Sequence, residues 1–240
     1  MTKQESYYKH FVIDKPTAVG SKIAISVARK IFEKAELSKK MSVLELGPGR
    51  GHFANICKAA GVQYTAVEVN SELASDLRSR GLDVIEHKIP PIPDTGKKFD
   101  CVVMTHFLEH IDGTSAAIGL LEDLKRVMNN NCKLVILSPD YLYMGMYFFD
   151  VDFSHSFVTT KRRLRQLLLS SNFTVIRCEY MNGQFSGFLA VVAGLFFKLM
   201  PFYTLSRILN ENMIGEKLYK LKMSFVRCVF ITAELSQKDN

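Results

Sequence analysis

Apolar and polar positions along this chain follow two different periods. Over residues 18–35 the apolar side chains Val19, Ile23, Val27 and Ile31 recur every four positions, which stacks them on one helical face and predicts a lid or platform helix. Beyond it, short runs of strand character take turns with helical ones. Residues 42–46, 63–67, 84–86, 99–104, 133–137 and 173–180 read as strands. Residues 53–60, 72–80, 115–127 and 161–169 read as helices, the second capped by Ser71. Strands separated in this way by helices run parallel, joined by right-handed crossovers that cover both faces of the sheet. The pattern therefore predicts a doubly wound α/β fold, in which ligands bind beyond the carboxyl ends of the strands where the winding reverses.

Composition agrees with one large core. The chain has 240 residues, 48% hydrophobic and 23% charged, which suits a globular domain and leaves no room for extended disorder. We divide it into a helical segment at 1–40 and a main domain at 41–240, the latter carrying an insertion at about 181–223. The first fifteen residues contain no apolar core of secretory type, so a cytoplasmic location is expected. Cys57, Cys101, Cys132, Cys178 and Cys228 stand far apart, with no Cys-x-x-Cys pair and no His at zinc spacing. Core thiols in a reducing compartment are the simplest reading, and no metal is expected.

The first chemical signal follows the first strand. Glu45-Leu46-Gly47-Pro48-Gly49-Arg50-Gly51-His52-Phe53 places three glycines at alternate positions ahead of a helix, where the bare backbone can turn tightly and approach a ligand. The third glycine of a dinucleotide fingerprint would fall on His52, which argues against NAD or FAD. Glu68 closes the second strand, where a carboxylate can accept hydrogen bonds from both hydroxyls of a ribose.

These residues resemble the class I S-adenosylmethionine-dependent methyltransferases. Val43-Leu44-Glu45-Leu46-Gly47-Pro48-Gly49-Arg50-Gly51 is similar to the family's first motif, and Glu68 stands where its ribose-binding acid belongs. Phe99-Asp100-Cys101-Val102-Val103-Met104-Thr105-His106-Phe107-Leu108-Glu109-His110-Ile111 is similar to the fourth-strand block of the subgroup acting on small molecules, quinones and sugars. The resemblance implies a Rossmann-like, mostly parallel seven-stranded sheet whose last strand, near residues 225–233, is antiparallel. It implies S-adenosyl-L-methionine as cofactor, held by Glu45, Gly47, Pro48, Gly49, Gly51, Phe53, Glu68, Val69, Thr105, His106 and Phe107. Many relatives carry an acid after the third strand for the adenine amino group. Here the stretch is Glu86-His87-Lys88-Ile89-Pro90, so either backbone groups hold the adenine or Glu86 does.

Methyl transfer from a sulfonium is an in-line displacement, so positioning is the main task; an alcohol acceptor also calls for a general base. His155 is the first choice for that base, with Asp152 as its orienting partner. The same Asp-x-x-His pair could instead merely cap a helix entry. Glu109, His110, Tyr141 and Tyr143 are the expected acceptor-binding residues, and Asp140 lies on the same edge. Met104-Thr105-His106-Phe107 stands in place of the Asn/Asp-Pro-Pro-aromatic block of amino-group methylases, and Cys101 is inside an apolar strand, so nucleobase chemistry is not supported.

The charge is +7 overall, and residues 160–222 carry ten basic side chains against three acidic ones, an excess equal to that of the whole chain. The apolar run beginning Phe185-Ser186-Gly187-Phe188-Leu189 shares this segment but is interrupted by Lys198 and Pro201, which makes it a poor membrane span. Segment 185–209 is expected either to meet the inner face of a membrane as an interfacial helix, or to pack on the sheet or in a homodimer interface. The expected activity is O-methylation of a sugar, glycan intermediate or lipid-linked small molecule. Nucleic acid is a disfavoured partner; the alternatives kept are an RNA methyltransferase using the basic half and a non-catalytic cofactor-binding partner subunit.

Overall fold

The computed structural model describes residues 17–199 and 225–236. Helix α1 (Ala18–Lys34) opens at Thr17, whose hydroxyl accepts the Gly20 N–H at 3.1 Å. The elements that follow are β1 (Ser42–Leu46), α2 (His52–Ala59), β2 (Gln63–Glu68), α3 (Ser71–Ser79), β3 (Asp83–Glu86), β4 (Phe99–Thr105), α4 (Gly113–Leu124) and β5 (Met128–Pro139). After them come the short helices α5 (Tyr141–Met144) and α6 (Tyr147–Asp150), then α7 (Lys161–Ser170), β6 (Phe173–Met181), α8 (Phe188–Leu199) and β7 (Cys228–Leu235). The seven strands form one sheet in the order β3-β2-β1-β4-β5-β7-β6. Strands β1 to β5 pair in parallel, and β7 runs antiparallel between β5 and β6. The chain thus has the expected Rossmann-like, doubly wound α/β fold with an antiparallel last strand.

Burial on both faces explains why the strands read as nearly continuous apolar runs. On one face Leu44, Leu46, Val102, Met104, Leu134 and Ile136 pack with Leu120, Leu121 and Leu124 of α4 and Leu164, Leu167 and Leu168 of α7. On the other, Val43, Ala66, Cys101, Val103 and Val135 pack with Phe53 and Cys57 of α2 and Ala74 and Leu77 of α3. Ala28 and Ile31 of α1 belong to this second cluster, so the C-terminal half of that helix shares the core of the main sheet. Lys34 ties it to the far edge by an ion pair with Glu179 of β6 at 2.6 Å.

Three local expectations change. The cap of α3 is Asn70, whose side-chain oxygen accepts the Leu73 N–H at 3.0 Å; Ser71 is already the first helical residue. Strand β5 begins at Met128, ahead of the apolar run, because Met128 pairs with Phe99 before the register shifts to Cys101 and Lys133. Strand β7 starts at Cys228.

Within the insertion, the described part turns on Asn182, whose side chain accepts the N–H groups of Gln184 and Phe185 at 3.0 and 2.7 Å. Helix α8 then rests on α5: a Cβ on Gly194 would lie 3.2 Å from the Tyr143 ring, and Lys198 donates to the Leu142 carbonyl at 3.2 Å. Its other side is apolar and open, with Phe188 78% and Leu199 75% exposed. Residues 200–209 of the segment expected to meet a membrane or a second subunit lie outside the described residues. Among the described residues no helix is long and apolar enough to cross a membrane.

Candidate active site

The strand order reverses between β1 and β4, and in sheets of this kind the ligand crevice lies outside the carboxyl edge at such a reversal. The turn after β1 forms one wall. Gly47 donates to the Val67 carbonyl at 2.9 Å and Gly51 to that of Pro48 at 2.9 Å, which closes the loop onto β2 and onto itself. Gly47 and Gly49 both have left-handed φ values, 65° and 52°, but for different reasons. A Cβ at Gly47 would lie 2.8 Å from the Phe107 ring, so the absent side chain makes room for the neighbouring loop. At Gly49 no heavy atom lies within 4 Å of that position: its missing side chain leaves space in front of the backbone. Gly51 heads α2 with no side chain capping the helix.

Glu68 fastens this turn to β2. One carboxylate oxygen accepts the Gly49 N–H at 3.1 Å and the other the Asn70 N–H at 2.9 Å. Each oxygen retains a second lone pair. Burial raises the Glu68 pKa, opposed by backbone N–H groups of Asn70, Gly49 and Val69. Val69 itself is half-buried beside it.

Two polar atoms near these strand ends are buried without a hydrogen-bond partner among the described residues, His87 Nε2 and Thr105 Oγ1. His87 donates its backbone N–H to the Glu68 carbonyl at 3.0 Å, whereas Glu86 is turned to Arg78 at 3.4 Å. His87, the first residue after β3, is thus held to Glu68 by its backbone. His106 follows β4 in the left-handed region, φ 51°, with its N–H on the Leu137 carbonyl at 2.8 Å.

Other expected cofactor residues sit deeper. Glu45 is buried, its carboxyl receiving the Tyr64 hydroxyl, and burial pushes its pKa up to about 8 despite that hydrogen bond, with Glu68 adding to the rise. Phe53 is a core side chain in the cluster that holds Val43 and Ala54.

Among the residues expected to serve the acceptor, the fold gathers some that are far apart in sequence. Glu109 is buried, accepting His106 Nδ1 at 3.2 Å and the Ser138 hydroxyl at 3.0 Å. Burial would raise its pKa, but the His106 hydrogen bond and the fields of His106 and His110 outweigh that and lower it. His155 Nδ1 meets the Phe148 carbonyl at 2.5 Å. A carbonyl only accepts, so Nδ1 carries the proton and Nε2 the lone pair. Asp152, expected to orient His155, instead takes the N–H and hydroxyl of Ser154 at 2.8 and 2.6 Å. Ser154 Oγ is in turn 2.7 Å from His110 Nδ1. Because the Ser154 proton goes to the carboxylate, His110 Nδ1 must donate and its Nε2 is also left bare. Burial lowers the His110 pKa, partly opposed by Glu109 and Asp152, which favours the neutral ring.

The two imidazoles lie 4.9 Å apart, and ligand atoms of Glu109, His110 and His155 all fall within 4.8 Å of one another. Ser154, Ser138 and the Phe148 carbonyl are not legible in sequence, since a lone serine and a backbone carbonyl carry no motif.

The tyrosines divide. Tyr141 packs edge-on against Phe148 and Phe149 with centroids 5.7 and 5.9 Å away. Tyr143 is buried under α8 with its hydroxyl unpartnered among the described residues. Asp140 is structural: it accepts Arg227 Nε at 2.9 Å and starts α5 by accepting the Leu142 N–H at 3.3 Å.

Comparison with known proteins places this arrangement. The family model described as a methyltransferase domain matches residues 21–177. No curated protein matches the chain. Among solved structures, the coclaurine N-methyltransferase bound to N-methylheliamine and SAH superposes with a TM-score of 0.62 at 15% identity, covering 92% of this chain and 74% of its own. The CcbJ methyltransferase from Streptomyces caelestis gives 0.62 at 9%, covering 93% and 94%. A SAM-dependent methyltransferase from Archaeoglobus fulgidus gives 0.58 at 22%, covering 87% and 92%. At these identities the structures speak for the fold alone. The family model spans the glycine turn, the Glu68 strand end and the loops after β4 and β5 together, and on that ground the chain belongs to the class I S-adenosylmethionine-dependent methyltransferases.

Proposed function

We propose that this chain transfers a methyl group from S-adenosylmethionine to a hydroxyl of a sugar, glycan intermediate or lipid-linked small molecule. The observation that carries the donor half is Gly49, a left-handed glycine with open space where a Cβ would stand and with its amide held on Glu68. A nucleoside fits such a cradle. The spare lone pairs of Glu68 suit two ribose hydroxyls, and the unpartnered His87 Nε2 suits an adenine edge. Gly47, Pro48, Gly51, Val69, Thr105, His106 and Phe107 complete the wall, while Glu45 and Phe53 support it from behind.

The donor, when bound, supplies a methyl group on a cationic sulfur, which needs no further activation as a leaving group. What remains for the protein is to place and activate an acceptor oxygen. His155 and His110 present Nε2 lone pairs, each fixed by a hydrogen bond at Nδ1, and these are the electron-pair donors for that task. An amphiphilic acceptor is favoured by the apolar surroundings. Phe153 (75% exposed) lies in the loop that carries His155, Met146 (74% exposed) stands in the turn between α5 and α6, and α8, packed on α5, leaves its other side apolar and open. The same surface suits shallow contact with a membrane.

Calorimetry with the donor and with its demethylated product tests the first half. Both should bind, and Glu68→Ala should weaken them at least about tenfold, as expected for losing hydrogen bonds to a charged group. Incubation with radiolabelled donor and a fractionated extract tests the second. Label should enter a lipid, glycan or small-molecule fraction, and His155→Ala should cut turnover without changing donor affinity; label confined to RNA would overturn the acceptor class.

A further inference from the structure

We propose that Glu109, His110 and His155 hold a divalent first-row cation, and that this cation takes the acceptor hydroxyl as its remaining ligand. The acceptor's role rests on the methyltransferase reading above; the cation site rests on geometry alone. One ligand atom from each side chain lies within 4.8 Å of the other two, so small side-chain adjustments bring all three to about 2.0–2.2 Å from a common ion. Two imidazoles and one carboxylate on one side of an ion leave positions open on the other, the arrangement suited to binding a substrate oxygen.

The donor atoms are prepared for it. A histidine ligand must offer a bare nitrogen, and the proton bookkeeping at Phe148 and Ser154 leaves Nε2 bare on both rings. Each is oriented from behind in the manner typical of metal-binding histidines, His155 by a backbone carbonyl and His110 through Ser154 by the Asp152 carboxylate. Glu109 is anchored by Ser138 and His106, and its buried negative charge is the natural partner of a cation. Neither histidine lies at metal-ligand spacing from the other in sequence, so spacing along the chain does not reveal the site.

The chemistry is that of a Lewis acid. With both Nε2 lone pairs committed to the cation rather than serving as bases, the acceptor O–H bond breaks, its proton leaves to bulk water, and the oxygen keeps the electron pair as an alkoxide bound to the cation, with no change of oxidation state. Cation binding can lower the pKa of water from 15.7 to about 7, and an alcohol gains in the same way.

The test uses the full chain freed of metal with a chelator and titrated with Mn(II) alone, followed by loss of the free-ion electron paramagnetic resonance signal and by calorimetry. One ion should bind per chain. His110→Ala and His155→Ala should each weaken it at least tenfold, and Ser154→Ala about 10- to 100-fold. Glu68→Ala should weaken donor binding and leave Mn(II) affinity unchanged. Circular dichroism identifies any variant that has unfolded, and His155→Gln then replaces His155→Ala. The inference is overturned if a folded chain binds none of Mn(II), Co(II) or Zn(II), or binds them equally well without His155. Full turnover in chelator would sink the cation while the methyltransferase reading stands. Cation binding without donor binding would do the reverse.

Discussion

The ring of Phe107 lies over Gly47, so that a Cβ on the glycine would stand 2.8 Å from Cδ2 of the ring. The loops after β1 and β4 therefore touch at a point where only a glycine allows it. Gly49, two positions on, faces open space. Alanine at either position costs about 1–2 kcal/mol for its left-handed backbone. Gly47→Ala should cost more, because the Phe107 ring must also move. Gly49→Ala should melt closer to the parent chain yet lose at least tenfold in donor affinity; thermal unfolding beside calorimetry separates the two, and equal donor affinity in Gly49→Ala and the parent would refute the cradle.

Glu45 makes stability depend on pH. Its folded pKa, about 8, lies above its ordinary value of 4.5, so folding takes up a proton between the two. The stability this group contributes is complete below pH 4.5 and is lost as pH rises through about 8. Glu45→Gln keeps an acceptor for the Tyr64 hydroxyl and cannot ionise. It should melt higher than the parent at pH 8.5 and no higher at pH 5, measured without ligand.

Asp152 acts on His110 from two bonds away. In the chelator-treated chain His110 should titrate below the ordinary histidine range, because burial disfavours the charged ring. Asp152 opposes that fall, and Asp152→Asn preserves an acceptor for Ser154 while removing the charge. The variant should lower the His110 pKa further in an NMR titration. An unchanged value would mean that Asp152 is only a loop fastener.

The buried pair of Asp140 and Arg227 joins the end of β5 to the start of β7. Asp140→Ala leaves a guanidinium largely enclosed and removes the cap of α5, so a loss of about 3–5 kcal/mol is expected from chemical denaturation. The double variant with Arg227→Ala should recover part of it.

Short-range features settle much of this protein in advance. The switch from a four-residue period to alternating strand and helix runs is enough for the doubly wound sheet, because a buried parallel strand needs an apolar run and its crossover needs a helix. The glycine turn and Glu68 are legible too, since bare backbone before a helix and an acid at a strand end are local requirements of one ligand. Errors at this level stay local, as with Asn70 replacing Ser71 as the cap, where two adjacent residues compete for one role.

Long-range proximity is what the linear chain withholds. His155 stands beside His110 only because the turn before α7 folds back over the end of β4, where Ser156 and Phe157 donate to the Glu109 carbonyl at 2.9 and 3.0 Å. Asp152 reaches His110 through Ser154, Tyr143 is sealed under α8, and Glu45 is neutralised by burial. Each depends on which side chains meet across the fold, and on how much water is left around them. Spacing along the chain carries neither quantity, so only tertiary packing decides them.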